Sequence, residues 1–306
     1  MSRKYKNYEE RHFETAEELW DALSPARFPC PAPCNLIFRG QASSEWQLTP
    51  SVLRKSDFLV LKDGAPEIDA SEMVFLELSL LATFVKHCDT VGIPVPNDSQ
   101  LYRLNTVNTQ TADRYYKVPP EWPNEEILDL MAMAQHHGVP TRALDWTRKA
   151  YAAAYFAASS SLADHGSWTS DTKLAIWILN IERIGLHRNI KLHYSPGSTS
   201  RHLAAQGGLF TIHPHNGYRG SSFEISGLEN LVSDIPDTVL FKYTLPSFES
   251  GVLLKLCERS GFSAAHVYPS ADGAGKAVID GIKYETARNV HNIDSILVRY
   301  VADSAH

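Results

Sequence analysis

Cysteine is scarce. The four in 306 residues, Cys30, Cys34, Cys88 and Cys257, are too few and too scattered to staple a chain of this length. That excludes a disulfide scaffold and makes the reducing cytoplasm the expected compartment. No run approaches the roughly 18 uninterrupted apolar residues of a membrane span. The charged start, MSRKYKNYEERHFETAEELW, lacks the apolar core of a secretory leader. A basic excess is missing too: 29 Lys+Arg stand against 35 Asp+Glu, a net charge of −6. That balance argues against a protein that grips long duplex DNA chiefly by neutralising phosphates. There is no internal repeat and no low-complexity tract. What remains, 43% hydrophobic and 21% charged, has the composition of a folded globular chain.

Hydrophobic periodicity and capping signals organise it. Thr15, followed by Glu17 and Glu18, caps a short helix through Leu23. A Pro/Cys-rich turn, Pro29 to Pro33, gives way to Asn35-Leu36-Ile37-Phe38-Arg39-Gly40, a buried strand with an arginine at its end. Ser71 to Cys88 reads as a helix with Val74, Leu78, Leu81 and Val85 on one face. Residues 92–123, with five prolines and little periodicity, read as a long loop or lid. Asn124 is expected to cap a helix that Gly138 and Pro140 end. A short extended piece, Thr141 to Trp146, then enters a helix with Ala150, Ala153, Ala154, Ala157 and Ala158 on one smooth face that another backbone can approach closely. Strands are expected at 174–181, 208–213, 238–245 and near 295–301, and a helix at 250–259. Helices early and strands late give an α+β fold, with a central mixed or antiparallel sheet and helices packed around it. Residues 1–33 are expected to form an N-terminal helical extension to one domain spanning 34–306.

Arginine at the end of an apolar strand offers a planar, permanently charged fork that suits phosphate or carboxylate. Equally, Arg39 can pair with a buried carboxylate such as Asp145 and only hold the fold. Asp145, Trp146 and Thr147 sit at a strand-to-helix junction, where free N–H groups favour anions and an indole can stack on a flat ring. The competing reading is a plain N-cap by Asp145 or Thr147. His136 and His137 close a helix whose dipole favours a charged imidazole, so one is a candidate acid or base. Being consecutive, they are expected to project one inward and one outward. Metal is not expected: Cys30 and Cys34 lack the second half of a zinc site, and His213 and His215 have no companion carboxylate. Ser270 to Ala277 lacks both the opening glycine and the hydroxyl of a phosphate loop.

Three segments together resemble the FRG domain, a bacterial family named for its Phe-Arg-Gly motif. They are Phe38-Arg39-Gly40-Gln41 with Trp46, Leu48, Pro50, Ser51 and Arg54; Ala134-Gln135-His136-His137-Gly138-Val139-Pro140-Thr141-Arg142, running on through Leu144-Asp145-Trp146-Thr147 to Ala154-Tyr155-Phe156-Ala157; and Arg201 with Ala205 to Thr211. The resemblance runs from about Leu36 to about Gly275. Their order is similar, more weakly, to that of the ADP-ribosyltransferase superfamily, which implies a core of that type. It gives Arg39 the grip on NAD, Asp145-Trp146-Thr147 the nicotinamide pocket, and Gln206 the place of the glutamate that acts on the ribose. Two departures stand out: the Ser-Thr-Ser triplet is missing, and a glutamine replaces the glutamate.

The expected site therefore has Gln206, Asp145 and His136 as catalytic candidates. Arg39, Gly40, Gln41, Arg142, Trp146, Thr147 and Tyr155 are the candidates for binding NAD, with no metal. The function this implies is a toxin or phage-defence effector that binds a nucleotide-like molecule and transfers ADP-ribose to a protein or nucleic acid. It would need no membrane, and an antitoxin or regulatory partner would accompany it. Two alternatives stay open: a non-catalytic module that senses a ligand or protein, and a nucleic-acid-processing enzyme using His136/His137 and Asp145.

Overall fold

The computed structural model describes residues 2–4, 7–27, 35–54, 61–62, 65–66, 68–110, 113–184, 190–194 and 205–291. Among these residues eight strands form one sheet: β1 (Ser2–Lys4), β2 (Glu9–His12), β3 (Leu36–Gln41), β4 (Ala143–Thr147), β5 (Lys173–Asn180), β6 (Lys191–His193), β7 (Gly208–Ile212) and β8 (Leu240–Pro246). Their order is β1-β2-β8-β5-β3-β4-β7-β6. Only β2 and β8 run parallel; every other neighbouring pair is antiparallel. Six helices matter here: α1 (Ala16–Ala22), α2 (Ala70–Val91), α3 (Leu128–His136), α4 (Ala150–Ala163), α5 (Ser250–Arg259) and α6 (Ala271–His291). The fold is α+β. None of the described helices is long and apolar enough to cross a membrane.

Several local expectations match the structure. Thr15 accepts a hydrogen bond from the Glu18 N–H and caps α1. Asp69 and Glu72 form a reciprocal capping box that starts α2 one residue before Ser71. Gly138, at φ +85°, follows the end of α3. Asn124 makes no capping bond; one 3₁₀ turn, Glu125–Ile127, leads into α3 instead. The long loop is also corrected. Its described residues hold short helical turns that sink Tyr102, Val107, Tyr115 and Trp122 into the core between α2 and α3. Burial of four large side chains makes it a packed wall rather than a lid. Helix α6 and strands β1, β2 and β6 were not expected. The Pro29–Pro33 turn and the strand near 295–301 lie outside the described residues.

Two helical clusters cover one face of the sheet side by side. One gathers α1, α4, α5 and α6 over Phe38, Ile176, Ile178 and Tyr243. The other gathers α2 and α3 over Ala143, Phe210 and Ile212. The seam between them falls where β3 meets β4. There the ladder is a single bridge, Phe38 opposite Thr147. Beyond it β3 stays paired with β5 as far as Gln41, and β4 stays paired with β7. The two central strands therefore part.

The smooth alanine face of α4 does receive another backbone, and it is that of Gly40. A Cβ on Gly40 would lie 2.1 Å from the Ala153 carbonyl oxygen and 2.6 Å from the Ala157 nitrogen. The Gly40→Ala protein is expected to lose about 3 kcal/mol or more of stability. Thermal unfolding checks this, and the added change Ala157→Gly should not rescue it, because the atoms met first belong to the main chain.

Candidate functional site

A cavity of about 570 Å³ opens at the split. Its walls include Arg39, Gly40 and Gln41 of β3, Asp145, Trp146 and Thr147 of β4, His136 and His137 at the end of α3, and Gln206 just before β7. Side chains distant in the chain thus meet in one place.

At the floor, Arg39 spans the gap that the missing ladder leaves. Its Nη1 donates to the main-chain oxygen of Asp145 at 2.8 Å and to Oδ2 of the same residue at 2.7 Å. The Arg39 side chain is 13% exposed, whereas that of Asp145 is 58% exposed and faces the open volume. Oδ1 of Asp145 accepts from the Gln135 amide at 2.8 Å. The Gln135 carbonyl in turn accepts from the Thr141 hydroxyl at 2.6 Å. Burial works to raise the Asp145 pKa; the Arg39 charge and the Gln135 hydrogen bond outweigh it and hold the carboxyl below its ordinary value. A carboxylate held in this way is an ionised acceptor at neutral pH and cannot serve as a general acid.

Other expected residues take different parts. Arg142 does not line the cavity. It is fully buried on an ion pair with Glu77, which also accepts from the Trp122 indole at 2.9 Å, and it donates to the Pro214 carbonyl at 2.9 Å. A cation so completely partnered is a core element. Tyr155 also lies elsewhere, its hydroxyl on Asp280 of α6 at 2.7 Å. Strand alternation turns Trp146 away from Asp145, so its indole is 3% exposed and donates to the Thr211 hydroxyl at 2.9 Å. It is not placed to stack on a ligand. Gln41 is buried, accepting from the Trp177 indole at 2.8 Å.

Thr147 donates to the Gln206 carbonyl and accepts from the Lys149 N–H at 3.0 Å, fastening the entry to α4. The Gln206 amide nitrogen donates to the Val267 carbonyl at 3.3 Å. His136 and His137 do not divide inward and outward. Both are exposed at the rim, with ring centroids 5.2 Å apart. Arg201, Cys30 and Cys34 lie outside the described residues.

Sequence reasoning missed much of the wall. Trp46, 51% exposed, supplies the accessible indole, and Phe156 and Tyr268 add further aromatic surface. Arg54 stands beside Arg39, while Asp272 and Lys276 come from α6. Trp46 and Arg54 stood in the Phe-Arg-Gly segment, where a tryptophan and an arginine in a polar stretch were the available signal. Nothing in the weak periodicity of α6 marked its residues.

Residues 34–166 match the family model described as the FRG domain. No curated protein and no solved structure matches the chain.

Two outcomes test this geometry. Removing one partner of a buried pair leaves the other charge stranded, so Arg142→Ala is expected to lose about 3–5 kcal/mol, measured by denaturant unfolding. The stability that comes from ionised Asp145 is present at neutral pH. It should fade as pH falls through the ordinary carboxylate range and vanish below the depressed pKa. The gap in melting temperature between wild type and Asp145→Asn is therefore expected to close on acidification.

Proposed function

We propose that this chain, which carries an FRG domain, uses the cavity at the β3–β4 split as a nucleotide site. NAD is the ligand we favour, and transfer of ADP-ribose to a macromolecule is the reaction. The observation that carries the reading is an ionised carboxylate, Asp145, exposed in the same cavity as guanidinium groups and an accessible indole. The volume falls within the roughly 300–1,000 Å³ usual for small-molecule sites. The cations suit phosphates, and the indole of Trp46 suits a base or nicotinamide ring. Arg39, Asp145 and Gln206 belong to or adjoin three neighbouring strands, β3, β4 and β7, which supports the similarity in order to ADP-ribosyltransferases.

In the proposed reaction the bond between ribose C1′ and the nicotinamide nitrogen breaks, and its electron pair leaves with nicotinamide. A lone pair of the acceptor forms the new bond at C1′, and the acceptor's proton passes to a base, for which His136 at the rim is the candidate. Asp145 keeps its negative charge throughout and favours the positive charge that develops on the ribose. A toxin or phage-defence role in the cytoplasm, held in check by an antitoxin or regulatory partner, is the biological setting we propose.

One observation favours a second reading, a sensor that binds without turnover. Arg39 offsets the Asp145 charge, and the Gln206 amide is tied to the main chain. Calorimetric titration with NAD, combined with assays for released nicotinamide and for labelled ADP-ribose on protein or nucleic acid, separates them. The expected result is micromolar binding with nicotinamide release that Asp145→Asn abolishes while binding persists. Binding without release supports the sensor. No binding of NAD or ADP-ribose, with cleavage of nucleic acid in their absence, overturns the nucleotide reading in favour of a nucleic-acid enzyme.

A further inference from the structure

Among the described residues, two guanidinium groups line the cavity, and they are not equivalent. Arg39 is the inner one. Its Nη1 is bonded to both the carbonyl and the carboxylate of Asp145, and its side chain is largely buried. These partners close the gap between β3 and β4. Arg54 is the outer one, exposed at the rim on the residue that follows the 3₁₀ turn Ser51–Leu53. Its Nε donates to the Thr49 carbonyl at 2.8 Å, and it makes no ion pair among the described residues.

The turn that carries Arg54 is fastened to the start of β4. The Val52 N–H donates to the Thr141 carbonyl at 3.2 Å, and the Thr141 N–H donates to the Ser51 hydroxyl at 3.1 Å. A side chain anchored at Nε on such a turn is held in place before any ligand arrives. Partial burial, with the nearby Arg39 charge second, presses its pKa below the ordinary arginine value, and Asp145 opposes them. Two cations therefore share one carboxylate on this side of the cavity. On the α6 wall, the Lys276 ammonium lies 3.8 Å from the centroid of the Tyr268 ring, and Asp272 is the other carboxylate. Among the described residues the surplus is positive, and it stands at the rim rather than at the floor.

We propose that Arg54, assisted by Lys276, binds the phosphate groups of the ligand, and that Arg39 is a positioning residue that holds Asp145. The ligand class is a nucleotide bearing a diphosphate. A guanidinium fork matches phosphate oxygens two at a time. A diphosphate supplies the negative charge that the protein leaves unmatched here. This assignment rests on the nucleotide reading and moves to Arg54 the grip that motif order alone gives to Arg39.

The test is calorimetric titration of the full chain with inorganic pyrophosphate, NAD and nicotinamide riboside (which has no phosphate). It compares wild type, Arg54→Ala, Arg54→Lys and Arg39→Ala. Arg54→Ala should melt at the wild-type temperature and bind pyrophosphate and NAD about 10- to 100-fold more weakly. Arg54→Lys should recover part of the loss, and nicotinamide riboside should not respond to either change. Arg39→Ala should lower the melting temperature. Pyrophosphate binding that depends on Arg54, with no NAD binding to wild type, sustains the phosphate site and removes the nucleotide reading. NAD and pyrophosphate binding equally well to wild type and Arg54→Ala overturns this proposal and leaves the nucleotide reading standing.

Discussion

One backbone bridge joins β3 to β4, and past it each strand keeps its ladder only with its outer neighbour. Parting strands leave main-chain groups that must find other partners or water. The Asp145 carbonyl finds Arg39, and the same Nη1 that satisfies it also fixes the Asp145 carboxylate. Gln135 completes the arrangement from α3, with Thr141 behind it. The floor of the cavity is thus part of the way the sheet holds together. A split without the arginine would expose unpaired carbonyl groups, and an arginine without the split would have no gap to span.

The three residues of the Phe-Arg-Gly motif meet three different constraints at this point. Phe38 lies in the core at the last bridge between the strands. Arg39 reaches into the opening. Gly40 carries no side chain because α4 lies directly on it, with the Ala153 carbonyl where a Cβ would be. Close approach of α4 brings Phe156 and Ser160 to the cavity, and α3 brings Gln135, His136 and His137 from the other side. The cavity exists because two helical clusters share one face of the sheet and meet over its weakest ladder.

Much of this was legible in the chain, for identifiable reasons. Caps, helix stops and apolar runs are local signals, so α1, α2, β3 and β5 fall close to where pattern puts them. The alanine face of α4 declared a close approach without naming the backbone that makes it. Helix α6 was silent because its buried stripe is Gly273, Asp280, Tyr284 and Ala287, a set with almost no hydrophobic contrast. Side-chain direction failed where strand alternation decides it: Asp145 and Trp146 are neighbours, yet one opens to the cavity and the other enters the core. Arg142 failed for a different reason. Its partner Glu77 is 65 residues away on the face of α2 that periodicity assigns to the core, and no local signal reports a buried counter-charge.

The walls of the cavity also divide along the chain. The floor, with Arg39, Gln135 and Asp145, belongs to residues 34–166, the part that matches the FRG family model. Gln206, Tyr268, Ser270, Asp272 and Lys276 lie beyond it and form the opposite wall. The floor is the rigid part, since each of its charged groups is bound to another element of the sheet or to α3. The opposite wall includes the start of α6, a helix tied to α4 through Asp280, which accepts from Tyr155 and Ser159 at 2.7 Å each, and packed into the core through Tyr284 and Ala287. Asp280 sits two turns of helix after Asp272 and one after Lys276, so the same buried stripe places the ammonium and the carboxylate together. On the family-matched side the Arg39–Asp145 pair is already made and Arg54 keeps its charge without an ion pair among the described residues, while on the other side Asp272 and Lys276 are placed through the whole buried stripe of α6.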